Sequence, residues 1–169
     1  MLSSAAKVRV RGARVGDAKA LAQVFRESWS STYQGIIPQP HLDALVRRRT
    51  QEWWRSAVRS SERMLVVEVA GEIAGYATYG PARTRDSRRG EIYELYLTPR
   101  YQGLGFGEYL FEGCRHMLDL MRRDGLIVWA LADNHGACDF YWRRGGRPKA
   151  CTREAFGKVH LEKIAYTWP

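Results

Sequence analysis

Three glycines at alternate positions, Gly103, Gly105 and Gly107, follow Tyr101-Gln102 and precede a run with helical spacing. Glycine takes positive φ at little cost, so closely spaced glycines turn successive amide N–H groups outward. A helix that starts there adds its unpaired first-turn amides and the positive end of its dipole. The combination is a cradle for an anion, phosphate above all. Two common phosphate loops are excluded. Counted from Gly105, the third glycine of G-x-G-x-x-G is replaced by Leu110, and no Lys-Ser/Thr pair follows as a triphosphate loop requires. Just upstream, Glu91 and Glu94 lie in Glu91–Leu97 (EIYELYL), a strand-like run. Alternation puts the two carboxylates on opposite faces unless a bulge intervenes. Glu94 shares its face with Ile92 and Tyr96, an apolar setting suited to a general base, whereas Glu91 stands at the strand's start. No metal is expected. His135 and Cys138 form a local pair of ligand types, and two ligands do not make a zinc site.

These residues need a scaffold, and the hydrophobic periodicity supplies one. Lys7–Arg14 alternates as a short strand, and Asp17 caps a helix through Trp29 with Leu21, Val24 and Phe25 on its buried face. Ser30–Pro40, with Gly35, Pro38 and Pro40, reads as a loop, and His41–Arg59 as one further helix. Within it, Arg47-Arg48-Arg49 reads as the solvated side. Met64–Ala70 and Ile73–Tyr79 are two strands joined at Gly71-Glu72, the pattern of a hairpin with a primed turn. A charged loop, residues 80–90, leads to the strand Glu91–Leu97. Beyond the glycines comes an amphipathic helix, Glu108–Arg123, and then Leu126–Ala132, apolar on both faces as a central strand is. Asn134 caps a short helix through Arg144, and Arg147–Arg153 and Lys158–Trp168 close the chain as two strands. The order is that of one mixed α/β domain over residues 1–169, with 1–6 expected to be frayed.

With these elements in place, the stretch Glu91–Gly107 resembles motif A of the GNAT superfamily of N-acetyltransferases, whose Gln/Arg-x-x-Gly-x-Gly/Ala core falls on Gln102, Gly105 and Gly107. Trp129–Asn134, followed by Ala137 and Phe140-Tyr141, resembles that family's fifth strand and the helix after it. The two blocks cover about residues 91–146, in the right order and spacing. The resemblance implies a central, mainly antiparallel sheet of about seven strands, splayed between strands 4 and 5, with helices on both faces. It implies acetyl-coenzyme A as co-substrate, held by Gln102, Gly103, Leu104, Gly105, Phe106 and Gly107 at its pyrophosphate and by Leu95, Tyr96 and Leu97 along its pantetheine arm. It also places Asn134 on the cofactor side and Tyr141 opposite the departing sulfur. A protonated Tyr can supply the proton a thiolate needs. The family often carries a Glu on the fifth strand, but Trp129 and Leu131 stand there instead. Glu94, Glu91 or a water relay therefore remain the alternatives for the base. Acceptor selection in the family implicates Trp29, Tyr33, Ile36, Ile37 and the 151–160 connection. Trp29 and Tyr33 serve equally well as core.

Composition narrows the classes. At 45% hydrophobic residues, the chain has material for a core, which excludes disorder as its main state. Its longest apolar stretch, Leu126–Ala132, is far shorter than the about 20 residues a membrane helix needs. The start, MLSSAAKVRV, has no apolar signal region, and three widely spaced cysteines suit reduced thiols, so a cytoplasmic protein is expected. The net charge of +9 attracts polyanions. Nucleic acid is disfavoured as the partner because the basic residues are dispersed and no recognition helix is evident. The expected activity is transfer of an acetyl group to a primary amine of a small molecule or peptide. A catalytically inactive coenzyme A sensor is the alternative, and a homodimer is one open state of assembly.

Overall fold

The computed structural model describes residues 7–61, 63–86 and 88–169, so the expectation for residues 1–6 lies outside the described residues. Where apolar residues alternate, strands form: β1 (Val8–Gly12), β2 (Met64–Val69), β3 (Glu72–Pro81), β4 (Gly90–Leu97), β5 (Leu126–Leu131), β6 (Arg147–Phe156) and β7 (Val159–Trp168). Helical periodicity gives α1 (Ala18–Tyr33), α2 (Gln39–Arg48), α3 (Gln51–Ser60), α4 (Phe106–Leu120) and α5 (His135–Arg143). The strands make one sheet in the order β1-β2-β3-β4-β5-β7-β6. Its neighbours pair antiparallel except β4 and β5, which run parallel. On one face α4 buries Leu110, Phe111, Cys114 and Leu118 against Leu65, Val67, Ile92 and Val128. On the other, α1 and α3 bury Leu21, Val24, Phe25 and Trp54 against Met64, Val66 and Tyr76. This is the mainly antiparallel α/β architecture that the sequence resemblance implies.

Four boundaries differ from the sequence reading, each for a local reason. Helix α1 runs four residues past Trp29 because nothing breaks it before Gly35, which takes φ +80°. The expected single helix 41–59 is two. Thr50 ends the first run by capping the second, its hydroxyl accepting from the Trp53 amide at 3.2 Å. In the β2–β3 hairpin the turn residues are Ala70 (φ +51°) and Gly71 (φ +84°), one position earlier than expected. Positive φ at both central residues is what a type I′ turn needs, and Glu72 is spared that strain by joining β3. Strand β6 extends to Phe156, which turns inward and is buried.

Two irregularities shape the end of β4. Opposite β3, Thr78 faces Glu94 but Tyr79 faces Ile92, so Tyr93 is an extra, bulged residue. Further along, Gly75 of β3 lies so close to β4 that a Cβ there would sit 2.5 Å from the Tyr96 carbonyl oxygen and would overlap Leu97 Cδ2. The strand therefore crosses this point only because Gly75 has no side chain. Gly75→Ala is expected to destabilise the protein by about 1–3 kcal/mol, as overpacking against backbone does. Urea unfolding measures it, and a change below about 0.5 kcal/mol would show that β4 yields freely.

Candidate functional site

Strands β4 and β5 stay together for three residue pairs: Gly90 with Leu126, Glu91 with Ile127, and Ile92 with Val128. At the Tyr93 bulge they part. β5 keeps its register with β7 through Leu131, while β4 stays with β3 through Leu97. A cleft of about 500 Å³ opens between them, lined by Leu95, Tyr96 and Leu97 on one side and Val128, Trp129 and Ala130 on the other. The β5-facing backbone of β4 past the bulge has no strand partner, so an extended ligand can pair with it as a strand would. One group there is already occupied, since the Gln102 side chain donates to the Leu97 carbonyl at 2.9 Å.

At one end of the cleft lies the glycine turn. Gly103 (φ +74°) and Gly105 (φ +89°) are left-handed, and a Cβ on either would point into open space. Among the described residues, the amides of Gly103, Leu104, Gly105 and Phe106 donate to no carbonyl, so four N–H groups at the start of α4 are available to an anion. Gly107 serves packing instead: a Cβ there would come within 3.1 Å of the Phe140 ring of α5. Gln102, Gly103, Gly105 and Gly107 line the cleft. Leu104 points outward and Phe106 packs on Tyr101, so these two offer their backbone alone. Arg100, the cation next to the turn in sequence, is drawn away to Glu72 at 3.0 Å. The cations on the cleft wall are Arg143 and Arg144, and the Arg144 guanidinium lies 3.6 Å over the Phe140 ring.

Helix α5 closes the cleft. Asn134 starts it, its Oδ1 accepting from the Ala137 amide at 3.2 Å, and both residues line the cleft wall. One turn on, Tyr141 is buried among Phe111, Phe140 and Trp168. Among the described residues its hydroxyl has no hydrogen-bond partner, although the residue lines the cleft. Burial pushes this phenol well above its ordinary range, so it carries its proton at neutral pH.

The acids are arranged differently from the alternation expectation. Because Tyr93 is bulged, Ile92, Leu95 and Leu97 share the α4 face. Glu91 and Glu94 are therefore both on the α1 face. Glu91 is 1% exposed and held by Arg83, whose amide donates to Oε1 at 3.0 Å and whose Nη2 donates to Oε2 at 2.7 Å. It does not line the cleft. Glu94 does, and its neighbours are not simply apolar: Oε1 accepts from Arg49 Nη1 at 2.6 Å and from the Tyr76 hydroxyl at 2.9 Å. Both bonds fall on Oε1, and Oε2 takes part in neither. Arg49 was read as a solvated helix residue. It sits instead at the α2–α3 break, turned inward with its guanidinium 4.4 Å from the Phe25 and Trp53 rings. The signal was available in Thr50-Gln51-Glu52, a capping residue followed by a first-turn acid in the middle of an apparent helix.

The two readings of Trp29 and Tyr33 divide between them. Tyr33 lines the cleft, bonded hydroxyl to hydroxyl with Tyr96 at 2.6 Å. Trp29 packs behind it, 4.8 Å from the Tyr33 ring, and does not reach the cleft. Ile36 and Ile37 join Leu42, Leu131 and Phe156 in a separate core. A second cavity, of about 270 Å³, opens beside Trp53, Arg83 and Thr78 and shares Tyr93 and Glu94 with the cleft. Among the described residues no three His, Cys, Asp or Glu side chains gather as metal ligands, and no helix is long and apolar enough to cross a membrane.

Known proteins resemble this chain in sequence and in fold. The chain is 29% identical to the uncharacterized N-acetyltransferase YuaI of Bacillus subtilis over 164 residues, 96% of this chain and 93% of that one. It is 23% identical to the spermidine N(1)-acetyltransferase of Thermoplasma acidophilum over 143 residues, 82% and 87% of the two chains. Among solved structures, the PaiA N-acetyltransferase of Thermoplasma acidophilum in complex with coenzyme A superposes with a TM-score of 0.75. That match covers 93% of this chain and 98% of the other at 18% identity, a likeness of fold. Residues 21–145 match the model of the acetyltransferase (GNAT) family, taking in the splayed strands, the glycine turn and Tyr141 together, and the chain belongs to that family of acetyl-transferring enzymes.

Proposed function

We propose that this protein transfers the acetyl group of acetyl-coenzyme A to a primary amine by direct attack, with Glu94 as the base and Tyr141 as the acid. The observation that carries the reading is one cleft containing an anion cradle at its end, an unpaired strand edge along its side, and a proton-bearing phenol within it. The coenzyme A in the related fold and the amine named for the spermidine-acetylating relative support it. The residues present suit such a co-substrate. The free amides of Gly103–Phe106 can donate to a pyrophosphate, with open space where a Cβ of Gly103 or Gly105 would stand, and Arg143 and Arg144, paired with Asp139 and Glu108, retain spare N–H donors on the cleft wall. Bound acetyl-coenzyme A supplies the acyl thioester.

The rest is work for side chains. An ammonium must lose a proton before it can attack, and Glu94 Oε2 is the carboxylate oxygen left over for that proton, which then passes to solvent. The N–C bond forms as the C–S bond breaks. Tyr141 gives its proton to the sulfur and recovers one from the nitrogen, which sheds its second proton on becoming an amide. Because burial raises the Tyr141 phenol, it remains a donor through the pH range in which amines become nucleophilic.

Release of free thiol from acetyl-coenzyme A in the presence of an amine panel tests the reading. Coenzyme A binding without thiol release would reduce the protein to a coenzyme binder. Tyr141→Phe is expected to lower kcat by about 100-fold or more, the scale of general acid catalysis, while the affinity for coenzyme A stays within about twofold. Unchanged turnover would remove Tyr141 from the chemistry. The two acids separate in the same assay. Glu94→Gln should lower kcat/KM by about 10-fold or more, whereas Glu91→Gln should leave kcat unchanged and cost about 1–3 kcal/mol in urea unfolding, as weakening a buried charge-assisted pair does. Equal losses of rate in both variants would contradict the assignment.

A further inference from the structure

Resting on the acetyltransferase reading, we infer that the acceptor reaches Glu94 through the second cavity, and that it is an amine which also carries a carboxylate: a small amino acid with an apolar side chain. The cavity and the cleft meet at Tyr93 and Glu94, which line both. A molecule in the second cavity therefore approaches Glu94 from the side away from the glycine cradle. At about 270 Å³ the space is just below the about 300 Å³ at which small-molecule sites usually begin, so it suits a compact acceptor.

The charges in the wall select among compact amines. Arg49 and Arg83 both line the cavity, and Arg63 lies beside its Tyr93 wall. Against them stand Glu91 and Glu94, each already bound by one of these arginines. A guanidinium has five N–H donors. Arg49 commits one nitrogen, Nη1, to Glu94, and Arg83 commits Nε and Nη2 to Glu91. The cavity thus offers donors in excess and one carboxylate oxygen, Glu94 Oε2, as acceptor. A polyamine would set several positive charges against two arginines with a single carboxylate between them. An amino acid matches each part. Its ammonium meets Glu94, and its carboxylate takes the spare guanidinium donors in the paired geometry that Arg favours. Its side chain covers Trp53, an indole left 40% exposed at the rim and fixed from behind by Arg49.

The test uses matched acceptors that differ only in the carboxylate: methionine with 3-(methylthio)propylamine, phenylalanine with phenethylamine, and spermidine alongside. With acetyl-coenzyme A saturating and thiol release as readout, each amino acid should exceed its decarboxylated partner in kcat/KM by at least about 10-fold, the usual return on a charge-assisted pair. Spermidine should fall below both amino acids. In Arg49→Gln the amino-acid-to-amine ratio should collapse toward one through a raised KM for the amino acid. Because the ratio is internal to each variant, a partial loss of folded protein does not move it. Should Arg49→Gln not fold, Arg83→Gln, at an exposed position, is expected to lower the same ratio. Preference for the decarboxylated amines or spermidine would overturn the inference while leaving the acetyltransferase reading intact, as would a ratio unmoved by the arginine substitutions. No turnover of any acceptor by a protein that binds coenzyme A would overturn both.

Discussion

Everything functional in this fold depends on two strands that separate. β4 and β5 hold three parallel pairs and then diverge, because each has a stronger obligation on its other side: β4 to β3 and β5 to β7. A sheet ordinarily satisfies its backbone internally, and an open seam would leave polar groups unpaired. Here the seam opens into a cleft, so its unpaired groups carry no buried penalty and are free to pair with an extended ligand. The bulge at Tyr93 marks the parting point and also reverses the parity of the strand before it. That reversal brings Glu91 and Glu94 onto one face, yet it leaves them in different situations. Glu91 falls where the strands are still joined and is sealed beneath Arg83. Glu94 falls just beyond, where the seam is open.

The seam would be of little chemical use without the layer that covers it. Tyr76 and Tyr96, pushed well above the ordinary phenol range chiefly by burial, remain neutral hydroxyls, and each has a fixed partner: Tyr76 donates to Glu94 and Tyr96 meets Tyr33. Arg49 joins this layer from the α2–α3 break, between Phe25 and Trp53. Cation–π contacts of this kind contribute about 0.5–2 kcal/mol each, depending on how dry they are. Glu94 is thereby held directly from two elements, β3 and the α2–α3 corner, with Phe25 of α1 packed on the Arg49 guanidinium. A side chain so held has little rotamer freedom left to lose.

The parts that were legible in the sequence are those built from neighbouring residues. Gly103 and Gly105 with a helix behind them marked a turn with outward amides through their spacing within one segment, and the family resemblance is what put Asn134 and Tyr141 beside the cleft. The strands and the α4 stripe followed from periodicity in the same way. What escaped was set by partners far apart in the chain. Alternation misplaced Glu91 and Glu94 because the bulge is a property of the β3–β4 pairing, which no local pattern records. Arg49 was hidden inside a run of three arginines that looks like a solvated stripe, and its inward turn depends on where Thr50 breaks the helix. Arg100 adjoins the glycine turn in sequence, yet its guanidinium is claimed by Glu72 at the start of β3, a partner that no local pattern records.

The same division separates the two sides of the proposed reaction. In that reading the cradle and strand edge bind the donor through backbone groups, and these persist as long as a few glycines and the splayed register persist. The acceptor side inferred above is made of side chains: Arg49, Trp53, Arg83 and Glu94, which line the second cavity, come from three separate segments and share no local motif. Substituting any one alters the cavity's charge or width without disturbing the sheet's hydrogen bonds. A net charge of +9 at first suggests a polyanion spread over the surface. The arginines that matter most are instead concentrated at the two ends of the seam, Arg143 and Arg144 toward the cradle, Arg49 and Arg83 toward the second cavity. At each end these arginines are ion-paired, Arg143 to Asp139 and Arg144 to Glu108 at one, Arg49 to Glu94 and Arg83 to Glu91 at the other, so what the seam holds ready for an anion is their spare N–H donors rather than a bare excess of charge.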